Sequence, residues 1–122
     1  MNKEFLEKIR KDPNKVDWLR ISMHQTLSEE FIKEFKNNLK WSHVSGHQTL
    51  SEPFMIEFKD IIDWYYISLC QTLSEKFIIE FQDRVNWINI IYNKNIKKPY
   101  SKQIQEVLNE NILINQLQNK RF

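Results

Sequence analysis

The sequence predicts an all-α fold, a short solenoid of helical hairpins with a 23-residue period. Three observations carry that expectation. Tryptophan recurs at Trp18, Trp41, Trp64 and Trp87, each 23 residues after the last. Between tryptophans runs a nearly constant phrase, QTLSEEF, then QTLSEPF, then QTLSEKF. The 122 residues include one Gly and three Pro, little punctuation for a turn-rich β domain, while 13% aromatic residues supply far more buriable surface than a disordered segment carries. A unit of this length cannot bury its apolar stripe alone. Stacking must therefore make the core of a single repeat domain, and both ends need caps.

Residues 1–16 read as the N-terminal cap helix. Phe5, Leu6 and Ile9 echo Phe31, Ile32 and Phe35, with an insertion around Lys11, Asp12 and Pro13 that breaks the phase. Residues 17–86 hold three full repeats. In the first half of each, Asp17, Asp63 and Asn86 precede a Trp as N-caps do, and Trp shares a helical face with Ile21, Val44 or Ile67 three residues on. That predicts a short helix from Trp18 to about His24. The alternative is an α/β solenoid like the leucine-rich repeats, since their period is ~20–29 residues and Trp64-Tyr65-Tyr66-Ile67 has strand propensity. The cap-like Asp and Asn tip the reading toward helix. The strict phase of the tryptophans makes them core wedges between repeats.

The second half of each repeat is a helix with a legible start. Ser28, Ser51 and Ser74 are N-caps, and Glu29, Glu52 and Glu75 follow them at the positive end of the helix dipole. Leu27 with Ile32, Leu50 with Met55 and Leu73 with Ile78 have the spacing of a hydrophobic staple. Pro53 sits in a first turn, where its missing N–H costs nothing. Residues 87–122 form a degenerate fourth repeat and a cap. Ile90, Ile96, Tyr100, Ile104 and Leu108 keep the apolar skeleton, with Tyr100 in phase with Phe31, Phe54 and Phe77. A last helix from about Ser101 to Gln118, carrying Ile104, Val107, Leu108, Ile112 and Leu117, covers the open end.

The chemistry this chain carries points away from catalysis. Gly46 is the only glycine, which excludes a Gly-rich phosphate loop. Glu29, Glu52 and Glu75, like Glu34, Glu57 and Glu80, recur in every unit, whereas catalysis needs one singular constellation. His24, His47 and Cys70 share one repeat position and His43 lies one turn before His47, a set zinc accepts. The ~8–10 Å between packed helices is long for one ion to bridge, so no metal and no cofactor is expected. Cys70 as a nucleophile lacks a recognisable base, and as a lone cysteine it forms no internal disulfide, as in a reducing compartment. No apolar run approaches 18 residues, and the charged N-terminus lacks a signal peptide's apolar stretch, so an intracellular protein without membrane contact is expected.

Solenoids hold their frame constant and vary the surface that recognises a partner. The varying positions all lie in the first half of each unit: Leu19, Arg20, Met23 and His24, and their equivalents through Ile88, Asn89, Tyr92 and Asn93. A partner-binding ridge of Arg20, His24, His43, His47, Tyr65, Tyr66 and Tyr92 follows, directed at another protein rather than a small molecule. Charge gives the alternative. Residues 93–122 carry six basic against two acidic side chains. Lys94, Lys97, Lys98 and Lys102, interleaved with Tyr92 and Tyr100, could follow a single-stranded RNA or DNA backbone and stack on its bases.

Asp63-Trp64, Ile67-Ser68, Gln71, Leu73-Ser74-Glu75, Phe77-Ile78 and Glu80-Phe81 spell D-W-x-x-I-S-x-x-Q-x-L-S-E-x-F-I-x-E-F. This phrase, covering residues 17–86, resembles the tandem repeats of uncharacterised proteins of giant DNA viruses, also met in phage and mobile-element genes. The resemblance implies a protein working in the cytoplasm of a host cell. Small accessory proteins of such elements bind and disable host factors, for instance a nucleic-acid-guided nuclease. It assigns no catalytic or ligand residue.

Overall fold

A computed structural model describes residues 2–119, without the side chains of residues 115 and 117–119. It is all-helical: α1 (Lys3–Lys11), a 3₁₀ turn (Pro13–Lys15), α2 (Trp18–His24), α3 (Glu29–Glu34), α4 (Trp41–His47), α5 (Glu52–Glu57), α6 (Trp64–Cys70), α7 (Glu75–Glu80), α8 (Trp87–Tyr92) and α9 (Lys102–Asn119). Each tryptophan opens a first helix and no strand occurs among the described residues, so the β/α alternative falls. No described helix is long and apolar enough to cross a membrane. The chain divides into two compact units, Met1–Asp63 and Trp64–Phe122, and the division falls at a repeat boundary.

The hairpins form for local reasons. Asp17 and Asn86 accept from the amides of Arg20 and Asn89, while Lys40 opens α4 with no side-chain cap. Ser28, Ser51 and Ser74 are extended, and their hydroxyls accept from Phe31, Phe54 and Phe77 at 3.1, 3.2 and 3.1 Å. The tryptophans are shallower than core wedges. Trp18, Trp41 and Trp64 are half-buried and only Trp87 is buried. Each of the first three rings lies against phenylalanines of its own repeat: Trp18 against Phe35 at 5.3 Å, Trp41 against Phe54 and Phe58 at 6.3 and 5.8 Å, Trp64 against Phe77 and Phe81 at 5.9 and 5.2 Å. The indole N–H needs an acceptor and finds it before its own repeat. It donates to the carbonyl five residues earlier, from Trp18 to Pro13, Trp41 to Lys36 and Trp87 to Gln82, at 2.9, 2.8 and 3.1 Å.

Polar side chains, buried and paired, join one repeat to the next. The Ser22 hydroxyl donates to the Trp18 carbonyl and accepts from the Lys40 amide just before the next tryptophan. Ser45 and Ser68 accept likewise from Asp63 and Asn86. Where α2 packs on α4, Gln48 Nε2 donates to the carbonyls of Ser22 and Gln25 at 2.9 and 2.7 Å, and its Oε1 accepts from the Leu27 amide at 2.9 Å. Where α6 packs on α8, Asn93 Nδ2 donates to the carbonyls of Ser68 and Gln71, both at 2.8 Å. Among the described residues no buried side-chain nitrogen or oxygen lacks a partner. Outside this ladder, the Glu29 carboxylate accepts from the amide and hydroxyl of Ser51, and Lys33 pairs with Glu57 at 3.0 Å.

Both ends revise the sequence reading. Ile9, Arg10 and Val16 stand 23 residues before Ile32, Lys33 and Leu39, and Arg10 pairs with Glu34 as Lys33 pairs with Glu57, so no insertion breaks the phase. Helix α1 and the 3₁₀ turn are the second half of a repeat. At the other end Ser101 caps α9 by accepting from the Ile104 amide, and the Glu75 carboxylate accepts from the Ser101 amide at 2.9 Å. Ile104 and Leu108, both buried, thus take the places of Phe77 and Phe81. Tyr100, half-buried with its hydroxyl 3.5 Å from the Ile90 carbonyl, takes that of Leu73 instead, because the preceding loop is longer than in other repeats. Burial pushes the Tyr100 hydroxyl pKa up. Val107 and Ile112 are half-buried, while the side chains of Leu117 and Gln118 lie outside the described residues.

Two expected outcomes follow from the ladder. Gln48→Leu keeps the volume but orphans three backbone groups and should cost about 2–4 kcal/mol in urea unfolding; Asn93→Leu should cost more than Lys94→Leu by a similar margin. The second concerns acid. The hydroxyl and amide of Ser101 hold the Glu75 carboxyl below its usual 4.5, so its contribution is present above that pH and is lost as pH falls through the lowered value. The urea midpoint of the wild-type chain should exceed that of Glu75→Gln at neutral pH, and the gap should narrow as pH falls below 4.5.

Candidate functional site

The first helices bury one side and present the other. Ile21, Val44, Ile67 and Ile90 are buried with Ser22, Ser45 and Ser68. The second and sixth positions of these helices point away from that core. In the unit Trp64–Phe122 they hold Tyr65, Leu69, Ile88 and Tyr92, with Tyr65 51%, Ile88 49% and Tyr92 69% exposed and Leu69 half-buried. Tyr65 and Leu69 lie one turn apart on α6, Ile88 and Tyr92 one turn apart on α8, and the two helices pack together. The result is an apolar and aromatic patch bordered by exposed Tyr66, whose ring meets Tyr65 edge-on at 5.1 Å. Single exposed apolar residues are ordinary, but a group of neighbours is not.

The unit Met1–Asp63 presents different chemistry at the same positions. Leu19 is exposed, but Ser42 and Gly46 remove the bulk that Tyr65 and Leu69 supply. Arg20, His24 and His47 are exposed, and half-buried His43 stacks on His47 with centroids 6.0 Å apart. These imidazoles make a polar surface. Among the described residues no three His, Cys, Asp or Glu side chains are placed to hold a metal ion.

Other positions singled out from the sequence prove structural. Asn89 and Asn93, read as variable surface, are both buried, Asn89 donating to the Tyr65 carbonyl at 3.0 Å and Asn93 to the ladder. Helix α8 is one residue shorter than its counterparts, which moves the ladder amide from the in-phase Lys94 to Asn93. Only the short side chain of Asn93, unlike the Gln of other units, signals that shift. The Cys70 thiol is half-buried and burial pushes its pKa up, the wrong direction for a nucleophile. The carboxylates of Glu29 and Glu75, beyond favouring their own helix starts, clamp the cap of the following one.

The four C-terminal lysines, Lys94, Lys97, Lys98 and Lys102, are all exposed. Lys98 is engaged, its Nζ donating to the Ile91 carbonyl at 3.2 Å and lying 5.9 Å over the Tyr100 ring. Tyr100 is therefore held in the loop, and exposed Tyr92 is the aromatic left beside Lys94. Comparison with known proteins adds no relative: no family model, no curated protein and no solved structure matches the chain. As a check on the thiol, Cys70 in the folded chain should react with a neutral disulfide reagent at least about tenfold more slowly than in the urea-unfolded chain.

Proposed function

We propose that this chain is a non-enzymatic protein-binding module that recognises its partner through the outward side of the first helices. The observation that carries the reading is the α6–α8 patch. Tyr65, Ile88 and Tyr92 hold large apolar surface in water while the shared repeat frame is buried and fully paired. Tyrosine suits such a surface, because it brings contact area with little rotamer entropy and a hydroxyl that is satisfied either wet or bound. Tyr65, Tyr66 and Tyr92 are the anchors of that patch; in the unit Met1–Asp63 the same outward side of the first helices carries Arg20, His24, His43 and His47. A host factor is the target class suggested by the viral-type repeat phrase.

One observation favours a second reading. Tyr92, the most exposed large apolar side chain described, adjoins Lys94, a pairing that suits single-stranded RNA or DNA. The two readings separate experimentally. Protein retained from host-cell extract by the immobilised chain should bind the double variant Tyr65→Ala/Tyr92→Ala about thirtyfold or more weakly, with an unchanged unfolding midpoint. Equal retention by the double variant overturns the proposal. Binding of a labelled oligonucleotide with a logarithmic salt slope of about 3, flattened when Lys94, Lys97, Lys98 and Lys102 become Gln, would replace it with the second reading.

A further inference from the structure

Helix α4 carries the one pair of histidines in this chain that share a helix. The third and seventh positions of the first halves hold Arg20 and His24, then Tyr66 and Cys70, then Asn89 and Asn93, so two imidazoles occur together only at His43 and His47. A spacing of four puts both rings on one face, one turn apart, and paired histidines of a helix chelate a divalent ion at that spacing. The rings do meet, with centroids 6.0 Å apart and planes inclined by 18°. Neither makes a hydrogen bond or an ion pair among the described residues, so their nitrogen lone pairs are not spent on the fold. Ser42 and Gly46 stand beside them without bulk and His47 is exposed, so solvent and ions reach the pair. A singular cluster on a recurring frame is what marks a site in a repeat protein.

We propose that His43 and His47 form a two-ligand site for a divalent cation of the zinc, nickel and copper class, with water in the remaining positions. Zinc–nitrogen bonds of about 2.0–2.1 Å in tetrahedral geometry bring two ring centroids to about 5 Å. A turn of the exposed His47 side chain closes the difference from 6.0 Å and aims both lone pairs at the ion. The distance between repeats, which speaks against an ion shared by neighbouring helices, does not touch a chelate within one helix. Among the described residues no third His, Cys, Asp or Glu is placed to complete a closed structural site, so the coordination is open. No acceptor orients either ring, and Arg20 is the exposed cation at the equivalent position of α2, which packs on α4. Both features make the ion exchangeable rather than structural. Lys40 opens α4 with no side-chain cap, and a ligated ion would tie the last turn of this helix to the one before it. The site lies in the unit Met1–Asp63 and does not depend on the tyrosine patch.

The test titrates the full chain with zinc chloride alone at neutral pH, followed by calorimetry and by the imidazole signals in NMR. Saturable binding of one zinc ion per chain is expected, with the ring signals of His43 and His47 moving and those of His24 standing still. His47→Gln changes an exposed side chain and should weaken binding about tenfold or more, while the unfolding midpoint in EDTA stays in place. His43→Gln should weaken binding likewise, whereas His24→Gln and Cys70→Ser should leave it unchanged. Zinc should also raise the urea midpoint of the wild-type chain and not that of His47→Gln. No saturable binding up to about millimolar zinc would overturn the proposal. So would an affinity unmoved by His47→Gln, or binding lost with Cys70→Ser or His24→Gln, since the ion would then be held elsewhere.

Discussion

A buried side-chain amide that must find its partners sets the register between hairpins in each unit. Gln48 reaches two carbonyls and one amide of the preceding repeat, and Asn93 reaches two carbonyls of its own predecessor. Apolar contacts alone would tolerate a slip, because Ile, Val, Phe and Met are nearly interchangeable at the stripe positions. A misplaced amide leaves several backbone groups buried and unpaired, and that penalty is steep in a low-dielectric interior. The serines at Ser22, Ser45 and Ser68 add a second constraint by binding the amide just before the next tryptophan.

The aromatic residues divide the labour with this ladder. Trp41 and Trp64 lie against the phenylalanines of their own repeats, and the Trp41 indole N–H also reaches back to the Lys36 carbonyl, while the buried polar groups bind hairpin to hairpin. Helices of six or seven residues have no stability of their own in water. They persist because every helix start is capped by a side chain or held by its neighbours, and because each hairpin completes the next. An end of the stack is then a special place. At the C-terminal side α9, three times the length of α7, supplies Ile104 and Leu108 as cover; at the N-terminal side α1 supplies Ile9.

A frame so regular leaves individuality to the positions it does not use. Tyr65, Ile88 and Tyr92 gather on α6 and α8, whereas Ser42 and Gly46 leave the same columns bare on α4. Repetition also explains why carboxylates that look like acid/base candidates are not: Glu29 and Glu75 each hold the helix cap that follows, a duty recurring with the unit. The proposed function rests on these departures from the repeat.

What the sequence by itself determined was whatever depends on neighbours a few residues away. The serine caps, the helical first halves, the 23-residue period and the all-α class are local chemistry, satisfied within one turn of the residue that signals it. Tertiary structure alone decided which side chains serve partners distant in the chain. It set Trp18, Trp41 and Trp64, half-buried, against the phenylalanines of their own repeats. It kept α1 in phase through Arg10 and Glu34, where the stretch around Pro13 had suggested a break. It gave the ladder position to Asn93 rather than Lys94 and the Phe77 position to Ile104 rather than Tyr100. The reason is the same in each case. Counting residues assumes equal spacing, whereas a shortened helix or lengthened loop is corrected only when buried polar groups and the core select the residue that can reach them.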